Sequence, residues 1–219
     1  MQSESATPDF RTRYRSGIAQ GYSGRVHAAF VFGLGVAVVA FCLIQASPVS
    51  LWHYLMVPAG LLLVNVGEYV AHKWLGHQKR SFARMFYARH AADHHGFFHH
   101  DQYEIRDHRD LRVVLLPSYF LFVVFVMAGV LGALLSLVLD AGAGWLLAGG
   151  IIAGYVLYEF VHFCDHLPAD QAITRLPGLR QMREHHRRHH DPQLATRYNF
   201  NVTFPFTDWL LRTTYRPDN

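Results

Sequence analysis

Uncharged runs and long polar segments alternate along this chain. Residues 26–46 carry no charge if His27 is neutral, and Ser47-Pro48-Val49-Ser50 turns them into a second run over residues 51–67. That helix is expected to continue through Glu68 to His72. A polar segment then extends to Arg112. Residues 113–139 form the longest uncharged run, interrupted only by Pro117. Asp140 and a Gly/Ala turn lead into a fourth run, residues 141–158, which passes straight into Glu159 and His162. About 20 apolar residues cross a bilayer as a helix. The pattern therefore predicts an all-α integral membrane protein with four transmembrane helices, about 26–47, 51–72, 113–139 and 141–163. Residues 1–25 read as a polar N-terminal tail without the apolar core of a cleaved signal peptide, and residues 26–219 as a single membrane domain. The semi-apolar piece 200–211 is too short and polar to span, and is expected to pack on the site or the interface.

Composition and charge sharpen this picture. Hydrophobic residues make up 51% and charged residues 16%, against about 25% charged in a soluble domain. Of the 20 Lys and Arg, four lie in the tail, eight in residues 73–112 and eight after His166, and the two short turns hold none. Positive charge stays on the cytosolic side. Both termini and both polar segments are thus expected in the cytosol, in the inner membrane of a bacterium or the endoplasmic reticulum of a eukaryote. The net charge of +4 then serves anionic headgroups rather than nucleic acid. The two Cys, Cys42 and Cys164, form no CxxC pair, so a disulfide framework is not the plan.

The candidate chemistry lies in the 16 histidines. HKWLGH places His72 and His77 five apart, about 140° around an ideal helix, so they share a site only if the helix ends or bulges near Gly76. HAADHH holds His90, His94 and His95. HFCDH holds His162 and His166. EHHRRHH holds His186, His189 and His190, with His185 beside them. On the predicted topology all four clusters fall on one side of the membrane. Neutral imidazole binds Fe, Zn and Cu. Ten imidazoles suit two metal ions with positions left open, held by a cytosolic helical cap. Ligating rings commonly donate their other N–H to a carboxylate. Glu68, Asp93, Glu159, Asp165 and also His185 lie close enough in sequence to serve as such outer partners. His27 and His53 read as structural or interfacial, and His99, His100 and His108 as solvated or supporting. Gly149, Gly150, Ala153 and Gly154 either allow close helix packing or line a narrow tunnel.

HxxxxH, HxxxHH, HxxxH and HxxHH, in this order, resemble the fatty acid hydroxylase and sterol desaturase superfamily of membrane dinuclear metal oxygenases. GYVLYEFVHFCDH at 154–166 is most similar to the fatty acid 2-hydroxylase branch, and HHGFFHH with DLRVVLLP resembles small bacterial-type members. YNFNVTFPFTDWLLRT resembles the closing pattern, with two departures: Asn201 and Arg212 stand where the family has glycine. Asn tolerates positive φ, whereas Arg212 is expected to alter the substrate entrance. The resemblance covers roughly residues 60–215. It implies two Fe ions, with Zn able to substitute in purified protein, O2 as co-substrate, and hydroxylation of a fatty acyl or related lipid. Desaturation, or carotenoid hydroxylation, is the alternative on the same site. With such short ends, no fused electron-transfer domain is expected. A separate cytochrome b5 or ferredoxin-type donor with its reductase is implied, and basic residues on the cytosolic face suit an acidic donor. A membrane metal transporter is the rival of another class, but transporters bind near the bilayer midplane, and these histidines lie at helix ends. A zinc protease would need HExxH, which is absent.

Overall fold

The structure, a computed structural model, describes residues 6–217, with side chains described from Asp9 onward. Its α-helices are α1 (Ala6–Ser16), α2 (Gly24–Ala46), α3 (Met56–Val70), α4 (Arg84–Tyr87), α5 (His95–Phe97), α6 (Leu111–Val114), α7 (Ser118–Val138), α8 (Ala141–Asp165), α9 (Pro177–His189) and α10 (Phe206–Leu210). Two π-helical turns, Ala71–Gly76 and Ala88–His94, continue α3 and α4. No strand occurs among the described residues. The protein is all-helical. Four of its helical stretches are long and apolar enough to cross a membrane: Gly24–Ala46, Leu51–Gly76, Ser118–Val138 and Ala141–Asp165.

The third of these begins five residues later than the uncharged run suggests. Pro117 has no N–H to donate and disfavours helix at the residue before it. The chain breaks there, and Val113, Val114 and Leu115 are buried residues of a separate short turn.

The chain divides into two compact units. One comprises Val26–Val66 and Leu116–Phe160. Its core gathers Val31 and Cys42 of α2, Leu121, Val124 and Ala128 of α7, and Leu147, Ile151, Ile152 and Tyr155 of α8. The small residues of α8 serve packing. A Cβ at Gly150 would lie 2.6 Å from the Val57 carbonyl oxygen, and one at Gly60 would lie 2.6 Å from the Ile151 nitrogen. Such close crossings need glycine on the approaching faces. Phe122, Val126, Val130, Leu134 and Leu137 of α7 are exposed, as a lipid-facing surface requires. In the turns, His53 Nε2 lies 2.8 Å from Asp140 Oδ2. His27 Nε2 lies 3.1 Å from the Leu116 carbonyl oxygen.

The other unit comprises Met1–Arg25, Gly67–Leu115 and Val161–Asn219. Within it the N-terminal stretch is more than a polar tail. Helix α1 buries Arg11, which is 3% exposed. Arg15 forms a two-pronged ion pair with the buried Asp110, at 2.8 and 2.7 Å.

Candidate metal centre

Five-residue spacing becomes useful where an α-helix widens. His77 N–H donates to the His72 carbonyl at 3.2 Å, an i→i+5 bond that defines a π turn. The two rings then stack, with centroids 5.2 Å apart. The second motif repeats the device: His95 N–H donates to the His90 carbonyl, and the Nε2 atoms of His90 and His95 come within 3.1 Å. Gly76 is required between them. A Cβ there would stand 2.8 Å from His90 Cδ2. The other motifs use ordinary helical spacing. His162 of α8 and His166, just past the end of α8, face one another at 5.1 Å between centroids. His186 and His190 do the same at 4.8 Å.

These elements bring the ring nitrogens into two groups. His72, His77, His90, His95 and His189 form one, and His94, His166, His186 and His190 the other. Within each group all donor atoms lie within 4.8 Å of one another. His162 Nε2 adjoins the second group, 3.3 Å from His94 Nε2. Donors about 2.1 Å from a shared metal stand up to ~4.2 Å apart across it, so each group, at up to 4.8 Å, spans slightly more than a closed coordination shell.

Backbone carbonyls fix the ring tautomers. His72 Nδ1 donates to Phe200 O at 2.5 Å, His94 to Val113 O at 3.1 Å, His166 to Tyr103 O at 2.8 Å, His189 to Tyr198 O at 2.9 Å, and His190 to Phe98 O at 2.8 Å. A carbonyl only accepts, so each Nδ1 carries the hydrogen and each neutral ring turns a bare Nε2 lone pair inward. His94 and His190 both do so, yet their Nε2 atoms are 3.1 Å apart. Two lone pairs at that distance repel unless a cation lies between them. The Nε2 atoms of His72 and His166 are buried with no hydrogen-bond partner. Protons are poor candidates for the cation. Burial, reinforced by neighbouring imidazoles, pushes His77 down to about 2. Burial is also the main reason His94 falls to about 3 and His189 to about 4. His90, His95, His186 and His190 fall well below the usual range for the same leading cause. The donor set is therefore neutral imidazole throughout, which fits a pair of transition-metal ions.

The outer partners are backbone carbonyls where sequence reasoning named carboxylates. Glu68 accepts from the Val202 N–H and from the Thr203 N–H and hydroxyl, the latter two at 3.2 and 2.8 Å. Glu159 accepts from the Tyr155 hydroxyl at 2.6 Å and the Leu116 N–H at 3.2 Å. Asp93 is half-buried beside Arg89 and Arg112. Asp165 is fully buried, its carboxylate without a hydrogen-bond partner. His185 turns away to Asp208 Oδ2 at 3.2 Å. His99, His100 and Asp101 form a third, more exposed group, and His108 pairs with Asp107 at 3.2 Å. Sequence reasoning missed Arg11 and Asp208. The signal for Asp208 was available: an acid inside the apolar FPFTDWLL.

The fatty acid hydroxylase family model matches residues 57–213, which spans all ten clustered histidines. The chain belongs to the fatty acid hydroxylase family. The hydroxylase shares its fold with the solved structure titled full-length scs7p, of which only the hydroxylase domain is visible. The TM-score is 0.63 at 22% identity, covering 88% of this chain and 68% of that one. No curated protein matches significantly. The protein is thus a metal-dependent membrane hydroxylase, an oxidoreductase acting on lipid. Its glycine departures now read differently. Asn201 does not need the left-handed region; the positive φ values fall at Asn199 (59°) and at Arg212 (56°). Arg212 thus adopts the conformation that glycine, the family's residue there, takes most easily.

Proposed function

We propose that this hydroxylase holds two iron ions, one in each histidine group, and uses O2 with externally supplied electrons to hydroxylate a fatty acyl or related membrane lipid. The observation that carries the reading is the opposed Nε2 lone pairs of His94 and His190 within a buried, wholly neutral imidazole set. When bound, iron supplies activation of O2 and delivery of one oxygen atom to an unactivated C–H bond. The balance is RH + O2 + two electrons + two protons giving ROH + water. The chain's own groups do the rest. The carbonyls of Phe98, Tyr103, Val113, Tyr198 and Phe200 aim the imidazoles. Phe98 stacks on His166 at 4.0 Å between centroids, and Phe200 stands edge-on to His189 at 5.7 Å. These rings exclude water from the oxidising centre.

The electrons need a partner, and we assign a separate cytochrome b5 or ferredoxin-type donor with its reductase. An open groove of about 1220 Å³ beside α9 is lined by Arg175, Arg180, Arg183, Arg187 and Arg188 against Glu104 and Glu184. It also reaches His185, next in sequence to His186. Its positive excess suits an acidic donor, and turnover should fall with rising salt. The distribution of all 20 Lys and Arg supports cytosolic termini and a cytosolic metal centre. Fusion reporters at each terminus test this orientation.

The deciding experiment is metal analysis of purified protein combined with lipid mass spectrometry of cells with and without the chain. Two bound irons and a lipid gaining one oxygen atom are expected. Loss of two hydrogens would assign a desaturase on the same site. Metal-free, active protein, or loaded protein that oxidises no lipid, would overturn the reading.

A further inference from the structure

We propose that two buried charges, Arg11 and Asp208, are independent positioning residues for the two histidine groups, each acting through the carbonyls that receive imidazole N–H. The inference rests on the two-metal reading above.

Arg11 serves the group of His94, His166, His186 and His190. Its guanidinium donates to the carbonyls of Phe97 at 2.7 Å, Glu104 at 3.2 Å and Gln102. The carbonyls next in sequence point the other way, as they do in extended backbone. Phe98 O receives His190 Nδ1–H, and Tyr103 O receives His166 Nδ1–H. Arg11 thus grips both stretches from behind. It also lies over the rings of Phe97 and Phe98, at 4.8 and 5.3 Å, and Phe98 is the ring stacked on His166. Five donors on a rigid fork suit this task.

Asp208 serves the group of His72, His77, His90, His95 and His189. It is fully buried. Its carboxylate accepts from the N–H groups of Phe200 at 3.0 Å and Asn201 at 2.6 Å, the Thr213 hydroxyl at 2.6 Å, and His185 Nε2 at 3.2 Å. The peptide linking Phe200 to Asn201 therefore faces Asp208 with its N–H and His72 with its C=O. Two residues earlier, Tyr198 O receives His189 Nδ1–H. Neither charge shares a hydrogen-bonded carbonyl with the other group.

The test is metal counting on detergent-solubilised, metal-stripped protein reloaded with Fe(II), and separately with Zn(II), with circular dichroism as the check on folding. Wild type should take two ions. Arg11→Gln and Asp208→Asn should each keep one and bind the other about 10- to 100-fold more weakly, the usual cost of losing an outer partner. Adding His186→Ala to Arg11→Gln should weaken only the ion already weakened and leave the other in place, whereas adding His90→Ala should weaken the remaining ion as well. Asp208→Asn should show the reverse. Arg13→Gln, an exposed change on the same helix, should keep both ions. If Arg11→Gln does not fold, Arg11→Lys keeps the charge but cannot span three carbonyls, and should weaken the same ion to a smaller degree. Loss of both ions from a folded single variant, or retention of both, overturns the inference while leaving the two-metal reading intact. Wild type that takes up no metal overturns that reading, and this one with it.

Discussion

Acid should unfold the metal-free enzyme over a window set by its buried imidazoles. His77, His94 and His189 sit at about 2, 3 and 4 in the folded protein, against about 6.5 in the unfolded chain. Below pH ~6.5 the unfolded chain binds a proton at each site and the folded chain does not, so stability falls as pH falls. Between pH ~7 and ~5 each such imidazole costs about 2 kcal/mol, and the three together about 6 kcal/mol. That rivals the whole stability of an ordinary domain, roughly 5–15 kcal/mol. The assay is thermal unfolding in detergent, monitored by far-ultraviolet circular dichroism, of stripped and metal-loaded protein across this range. For a chain of this size the expected fall in Tm is about 12–24 °C for the stripped protein. Bound metal holds the imidazoles unprotonated, so the loaded protein should lose stability only at lower pH. A stripped protein whose Tm is flat from pH ~7 to ~5 would refute the claim that these rings are buried and neutral.

Three further outcomes rest on single contacts. His94→Ala and His190→Ala should each abolish lipid hydroxylation and reduce bound metal while leaving the protein in the membrane; full activity in either would exclude that ring as a ligand. Gly150→Leu should destabilise by about 1–3 kcal/mol or more by overpacking, because its Cβ alone would meet Val57 O at 2.6 Å; an unchanged Tm would refute the close crossing. Arg212→Gly should stabilise by about 0.5–1 kcal/mol by relieving a non-glycine residue at positive φ, read as a rise in the denaturation midpoint.

The membrane helices were legible because bilayer crossing needs only a long uncharged run, a property of consecutive residues. The histidine clusters were legible because each lies within a few consecutive residues, and the fold gathers their ring nitrogens. His72 and His77 show the limit of such reading. Their spacing of five is wrong for one face of an α-helix, and the π turn that reconciles them, with His90 packed over Gly76, appears only in the fold. Pro117 was visible, but which side of it belonged to the membrane run was not, since Val113–Leu115 are as apolar as the residues of α7. The glycines of α8 favoured packing over a tunnel, and the fold places the Val57 backbone against Gly150.

The carbonyls that orient the imidazoles could not be read from the chain at all. Every residue carries one, so their selection comes from long-range folding: Phe200 reaches His72 across 128 positions, and Phe98 reaches His190 across 92. For the same reason Arg11 looked like one more basic residue in a polar tail. Residue type and spacing specify which groups can bind a metal. Which tautomer each ring adopts, and what holds it still, depends on contacts between segments that only the folded chain brings together.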